Sequence, residues 1–297
     1  MKIYIIGTGM EGDKTLTSEA RKAIEKADVL IGAERILKAF EGYGKEFFIS
    51  WKSEEISDFL KEKQTETAAV LMSGDCGFYS GAQKLINALK DYETEIICGI
   101  SSPVYFCSKI KKTWQNMRFI SLHGNNENII RNICRNEYCF FLLGGDVTAD
   151  EICKRLCEYG RDNINVYIGE NLGYENERIQ SGKASDFISM EFEKLSVMVT
   201  ENFDYEQNVK IGICDDDFVR GNVPMTKSEI RSAVISKLDI GRNDICWDIG
   251  CGTGSVSVEM ALQCYDGAVY AVDKNDEAVK LSAENAFRFG CDNIKII

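Results

Sequence analysis

The densest chemistry in the chain lies between residues 246 and 273. The sequence there reads Cys246-Trp247-Asp248-Ile249-Gly250-Cys251-Gly252-Thr253-Gly254-Ser255, and later Val269-Tyr270-Ala271-Val272-Asp273. Three glycines at alternate positions let a backbone turn sharply and approach a ligand closely. Asp273, nineteen residues beyond Gly254, can accept hydrogen bonds from both hydroxyls of a ribose. Nicotinamide and flavin enzymes use similar glycine turns, so the turn alone leaves the ligand open, and an ordinary tight turn is the plainer alternative. Asp248 narrows the choice because it stands two positions before the first glycine. A carboxylate there suits a cationic amino acid and repels a pyrophosphate, which favours S-adenosylmethionine. The elements that must hold these residues are a strand, a helix and a second strand. The short apolar run 244–248 suits a buried parallel strand. Ser255–Leu262 reads as a helix whose Val256, Val258, Met260 and Ala261 pack on a sheet, and its first N–H groups point at the ligand.

Three further glycine-containing stretches follow apolar runs near the start of the chain. Lys2–Ile6 precedes Gly7-Thr8-Gly9-Met10-Glu11-Gly12; Ala68–Met72 precedes Ser73-Gly74-Asp75-Cys76-Gly77-Phe78-Tyr79; and Glu95–Cys98 precedes Gly99-Ile100-Ser101-Ser102-Pro103. Helices are expected from Leu16 to Ala27, capped by Thr15 or Thr17, and over 79–89 and 103–110, with a strand at 29–31. This alternation predicts an α/β fold with a parallel sheet covered by helices. Ligands of such sheets bind beyond the carboxyl ends of the strands, so the three loops should converge on one crevice. Each loop alone reads as plain turn chemistry; it is the three together, all at strand ends, that point to a site.

Together these loops, with Ser121-Leu122-His123-Gly124, Phe141–Gly145, Glu170–Gly173 and Glu177-Arg178-Ile179, resemble the tetrapyrrole (corrin and porphyrin) methylases over nearly all of residues 1–205. The resemblance implies two α/β lobes, about 1–115 and 116–205, with S-adenosylmethionine folded between them. By position in the family pattern it implies donor contacts at Met10, Gly74, Asp75, Phe78, Ser101, Ser102, Leu143 and Leu172. Met10 and Cys76 stand where the family usually has proline, which should loosen both donor loops. Family membership also implies a homodimer formed through the first domain.

Residues 206–212 read as a linker. Beyond it, Phe218–Arg231 joined to Trp247–Val258 resembles the decarboxylating half of the precorrin-6Y C5,15-methyltransferases, a class I methyltransferase domain at 213–297. Thr226 reads as a helix cap forming a capping box with Glu229. This resemblance implies donor contacts at Thr226, Gly250, Cys251, Gly252, Thr253, Gly254 and Asp273. A class I domain needs about seven strands, whereas this chain reaches its end inside the third. The expectation is therefore a two-lobed tetrapyrrole methylase fold followed by an incomplete Rossmann-like sheet with one uncovered face, marginal or aggregation-prone. The implied substrate is a polycarboxylate precorrin or its cobalt form. The first domain would methylate C5; the second, when complete, would methylate C15 and remove the carboxyl of the C12 acetate. His123 and Arg220 are the candidates for meeting substrate carboxylates; His123 reads equally as a buried strand-end residue and Arg220 as a surface charge. No catalytic base is assigned, since methyl transfer from a sulfonium mainly requires positioning.

Composition narrows the alternatives. At 297 residues the chain is too long for one ordinary core. A net charge of −12 argues against general nucleic-acid binding, and no apolar run approaches a membrane span. The apolar opening is too short for a signal peptide, which predicts a cytoplasmic protein. The twelve cysteines contain no Cys-x-x-Cys pair and accompany a single histidine, so no metal site is expected; they read as reduced thiols packed as small hydrophobes. The rival readings are a methylase of the same fold acting on another substrate class, diphthine-type or RNA-directed, a second segment serving only as a non-catalytic appendage, and a nicotinamide oxidoreductase.

Overall fold

A computed structural model describes residues 1–63, 65–123, 128–145 and 147–297. Gly124, part of the Ser121–Gly124 match, lies outside the described residues. The chain divides into two compact units, Met1–Gln115 with Gly169–Ile179, and Asn116–Ile168 with Gln180–Ile297.

In the first unit strands and helices alternate: β1 (Lys2–Gly7), α1 (Ser18–Lys26), β2 (Val29–Gly32), α2 (Glu34–Leu37), β3 (Glu46–Ile49), α3 (Ser53–Glu62), β4 (Thr67–Met72), α4 (Ala82–Ala88), β5 (Glu93–Ile97) and α5 (Ser102–Ile110). The strands form one parallel sheet in the order β3-β2-β4-β1-β5. Its central strands are apolar throughout because both faces are covered. Ile3 and Ile5 share a core with Val29, Ile31, Ala68 and Val70 under α3 and α4. Tyr4 and Ile6 face the opposite core with Leu30, Ala69 and Leu71 under α1. Each fully buried isoleucine contributes roughly 1.5–3 kcal/mol. Register pairs Gly7 with Met72 and Ile6 with Ile97, so the carboxyl ends of β1, β4 and β5 lie side by side.

Two helix boundaries differ from the sequence reading. Helix α1 begins at Ser18 because the Thr17 hydroxyl caps it, accepting from Ala20 N at 3.1 Å. Helix α4 begins at Ala82, three residues later than expected. Tyr79 has a left-handed backbone (φ 44°), and the Ser80 hydroxyl donates to the Cys76 carbonyl while accepting from Ala82 N, so residues 79–81 form a turn.

The second unit contains β6 (Arg118–Ser121), α6 (Ile129–Arg135), β7 (Tyr138–Leu142), α7 (Ala149–Glu158), β8 (Asn165–Glu170), β9 (Arg178–Lys183) and β10 (Ser196–Glu201); the ends of β8 and β9 next to the 169–179 excursion belong to the first unit. These strands form a mixed sheet in the order β6-β7-β10-β8-β9. The unit continues with α8 (Ser228–Leu238), β11 (Ile245–Ile249), α9 (Ser255–Gln263), β12 (Ala268–Val272), α10 (Asp276–Arg288) and β13 (Ile294–Ile296), whose strands form a parallel sheet in the order β11-β12-β13. One face of β11 is open to solvent: Ile245, Trp247 and Ile249 are 67%, 57% and 73% exposed.

The capping box at Thr226 does not form. Helix α8 begins at Ser228, with Lys227 at the capping position and no side-chain cap bond. The buried Arg231 guanidinium instead takes the Thr226 carbonyl at 2.5 Å, which holds residue 226 outside the helix. All twelve cysteines are free thiols. Eight are buried, but Cys98 is exposed, contrary to the sequence reading, because it stands just past the end of the edge strand β5.

Candidate functional site

The three loops beyond β1, β4 and β5 meet in the first unit. Gly9 and Gly74 exchange backbone hydrogen bonds at 3.0 Å in both directions. The Asp75 carboxylate clips two loops together, accepting from Gly77 N at 2.8 Å and from Gly99 N at 3.0 Å. The backbones approach so closely that only glycine fits. A Cβ on Gly99 would lie 2.2 Å from the Gly74 carbonyl oxygen, and one on Gly7 would lie 2.7 Å from it. Ser101 stands at the N-cap of α5 with Ser102 and Pro103 in its first turn, so that helix end faces the same loops.

The expected loosening at Met10 and Cys76 is not seen. Cys76 is buried, and its thiol donates to the carbonyls of Ile5 at 3.6 Å and Ile97 at 3.7 Å. It therefore ties its loop to both neighbouring strands, and burial pushes the thiol pKa up to about 12, with the Asp75 charge adding to the shift. The turn around Met10 is held by the Thr15 hydroxyl, which accepts from Glu11 N at 2.9 Å.

Leu172 is buried on the excursion 169–179. Gly173 there has a left-handed backbone (φ 78°), and a Cβ on it would lie 2.5 Å from the Met10 carbonyl. This excursion is latched by Glu177, whose carboxylate accepts from Gly173 N at 2.7 Å and from the Tyr105 hydroxyl at 2.8 Å, with Lys109 3.4 Å away. The Tyr105 hydroxyl also lies 3.3 Å from Glu11. Burial and the Glu177 carboxylate raise the Tyr105 pKa. The structure thus brings Met10, Gly74, Asp75, Ser101 and Leu172 onto joined loops, with half-buried Phe78 on the same loop as Gly74. Nothing in residue spacing announces the Glu177–Tyr105 latch.

Leu143 and His123 belong to the second unit. Leu143 is buried just past β7, its N–H donating to Ser196. His123 is exposed, correcting the reading of a buried ring; its imidazole rests on Gly144, where a Cβ would lie 2.4 Å from Nε2.

Further along the second unit, Gly250, Gly252 and Gly254 all adopt left-handed backbones (φ 83°, 57° and 74°). The Asp273 carboxylate secures this turn, accepting from Gly252 N and Asn275 N, each at 3.0 Å. Those two N–H groups, Asn275 first, hold its pKa below the usual carboxylate value. A carboxylate offers about four acceptor positions, so capacity remains for ligand hydroxyls. Asp248 accepts from the Ser257 hydroxyl, and burial raises its pKa. Cys251 is buried. Among the described residues the buried Thr253 hydroxyl has no partner.

Segment 219–226 lies against the turn. Asn285 joins the two, donating to the carbonyls of Val219 and Thr253 while accepting from Val219 N. This residue was not legible in the sequence. Arg220 is 3.8 Å from both Asp215 and Asp216.

Both turns fit S-adenosylmethionine on structural grounds. At buried Gly74 a Cβ would meet Ser101, Ser102 and Ile100 at 3.8–4.0 Å, ordinary contact distance, so the glycine lies against the start of α5 without a clash. At the second turn the unpartnered Thr253 hydroxyl is a polar group awaiting a partner.

Comparison with known proteins bears on both sites. Residues 2–188 match the family model of the Tetrapyrrole (Corrin/Porphyrin) Methylases, and residues 217–297 match the Precorrin methyltransferase domain. A probable cobalt-precorrin-7 C(5)-methyltransferase of Methanocaldococcus jannaschii is 30% identical over 208 residues, covering 67% of this chain and 97% of that protein. A probable cobalt-precorrin-6B C(15)-methyltransferase (decarboxylating) of Pyrobaculum calidifontis is 53% identical over 81 residues, 27% of this chain. The chain spans only 42% of that relative's length. The crystal structure of a Thermus thermophilus uroporphyrin-III C-methyl transferase, complexed with S-adenyl homocysteine, shares the fold at 19% identity, with a TM-score of 0.55 over 68% of this chain and 97% of that one. The first family model covers well over half of the sequence, and the chain belongs to the tetrapyrrole (corrin/porphyrin) methylases, a family of S-adenosylmethionine-dependent methyltransferases.

Proposed function

We propose that residues 1–205 methylate ring carbon C5 of a precorrin or its cobalt form, and that residues 213–297 carry the donor turn of a C15 decarboxylating methyltransferase. The observation that carries the first half is the junction of three strand-end loops through the Gly9–Gly74 bonds and the Asp75 clip. In this reading Met10, Gly74, Phe78, Ser101, Ser102 and Leu172 contact the donor, while Asp75 shapes the loops. S-adenosylmethionine supplies an electrophilic methyl group on a sulfonium.

The chain's task is to present a nucleophilic ring carbon in line with that methyl group. Near-attack geometry of this kind can supply about 7–11 kcal/mol of the barrier, which fits a protein containing one histidine. The substrate's carboxylates would meet His123 in the first domain and Arg220 in the second. Arg220's two contacts at 3.8 Å are long surface pairs that a substrate carboxylate can displace. Thr226, Gly250, Cys251, Gly252, Thr253, Gly254 and Asp273 form the second donor site. The free thiols fit a reducing compartment, the cytoplasm; among the described residues, no helix is long and apolar enough to cross a membrane.

Calorimetric titration of the 297-residue chain with S-adenosylhomocysteine tests the reading. Two sites per chain support both halves. One site supports the first alone and leaves the second segment as an appendage. No binding overturns both.

A further inference from the structure

The segment 206–297 is bonded to β6 and α6, the elements on either side of His123. Ahead of His123, Arg118 on β6 donates to Asp266 at 2.8 Å. Behind it, the Asn128 amide donates to the carbonyls of Tyr265 at 3.0 Å and Gly267 at 2.8 Å. Asn128, at the N-cap of helix α6, makes no side-chain cap bond. The helix is capped by Asp292, whose carboxylate accepts from Ile130 N at 2.8 Å, Arg131 N at 2.9 Å and Arg155 at 2.9 Å. The Asp292 side chain is only 2% exposed. Arg131, fully buried, donates to Glu206 and to the Phe289 carbonyl. Tyr159, the residue that caps the C-terminus of α7, packs on Phe287 with ring centroids 4.6 Å apart.

A tethered appendage would not need these bonds. Buried N–H groups at a helix start demand acceptors, and here the acceptor belongs to the other domain. We propose that the second methyltransferase segment serves the first domain as a clamp, and that Asn128 and Asp292 are positioning residues for its tetrapyrrole substrate, acting through β6, α6 and His123 between them. The proposal rests on the C5-methylase reading above. It gives the segment a task that does not depend on its own donor turn.

The test uses the full chain with Asp292→Ala, Asn128→Ala and the near-isosteric Asp292→Asn, which keeps one acceptor oxygen. Hydrogen exchange at the Ile130 and Arg131 amides reports the clamp directly, and both should lose protection in Asp292→Ala. With a cobalt-precorrin substrate, KM should rise about tenfold in the two alanine variants and recover in part in Asp292→Asn. The affinity for S-adenosylhomocysteine should stay within about twofold. Unchanged KM in active alanine variants would overturn the positioning role, as would an equal loss of S-adenosylhomocysteine affinity. Inactivity of the unmodified chain on every precorrin offered would instead remove the C5 reading, and the positioning role with it.

Discussion

Gly99→Ala probes the donor crevice at its tightest point. The added Cβ would stand 2.2 Å from the Gly74 carbonyl oxygen and 2.5 Å from that of Gly7. Contacts shorter than 3.0 Å are essentially unknown for real Cβ atoms, so one loop must retreat by about 0.8 Å. Both obstructing groups are backbone, held by the Gly9–Gly74 bonds and by the Asp75 clip, so a rotamer change cannot relieve the clash. Overpacking of this kind destabilises by about 1–3 kcal/mol, and a displacement near 1 Å in a positioned site lowers turnover about 100-fold. Gly42→Ala is the control, because a Cβ there meets nothing within 4 Å. The assay is titration with S-adenosylhomocysteine, followed by methyl transfer from labelled S-adenosylmethionine at saturating donor. Gly99→Ala should lose at least tenfold in affinity and about 100-fold in turnover, while Gly42→Ala matches the parent. Parent-like binding and turnover in folded Gly99→Ala would show that the loop junction is not the donor site.

Three further outcomes are expected. Glu259 is fully buried and accepts from Gly212 N, Ile213 N and Arg231 Nε; Glu259→Gln removes one of the two carboxylates paired with the buried Arg231, Asp215 remaining at 3.2 Å, and should destabilise the second unit by about 1–3 kcal/mol, seen calorimetrically as a fall in Tm of roughly 2–12 °C, and an unchanged Tm would contradict this. Alkylation of the native chain at about pH 8 should modify Cys98 and Cys214 first, with Cys76 reacting only after unfolding because its thiol is buried and its pKa is raised to about 12; rapid native labelling of Cys76 would refute its placement. Hydrogen bonds from Thr65 and Thr67 hold the Asp28 pKa at about 2, below its usual 3.8, so its stabilisation is complete above pH 3.8 and is lost as pH falls toward about 2. Asp28→Asn should therefore cost on the order of 0.5 kcal/mol at neutral pH, discounted for exposure, and only a small fraction of that at about pH 2; a constant difference across that range in acid-unfolding curves would exclude the linkage.

The fold was legible where pattern and physics coincide. The doubly buried strands of the first sheet announce themselves as apolar runs, and the loops at their ends carry the glycines that close approach demands. The turn at Gly250–Gly254 was legible for the same reason. What spacing could not reveal were single long-range side-chain bonds. Cys76 occupies a place where proline stiffness was expected, and no local pattern announces that its thiol reaches two strands. Thr226 satisfied every local rule for a cap, yet the fully buried Arg231 took its carbonyl. Asn285 and Asp292 looked like ordinary polar residues on and after a helix, although one pins the second glycine turn and the other caps α6, far earlier in the sequence.

The Asp292 cap also has a consequence for the order in which the molecule can be completed during synthesis. Helix α6 leaves the ribosome 162 residues before the carboxylate that accepts from Ile130. At about 5–20 residues per second, the interval is roughly 8–30 s. Throughout that time the Ile130 and Arg131 N–H groups must remain hydrated. The lobe that carries His123 therefore cannot mature until residue 292 has been made, although its own sequence is translated well before that.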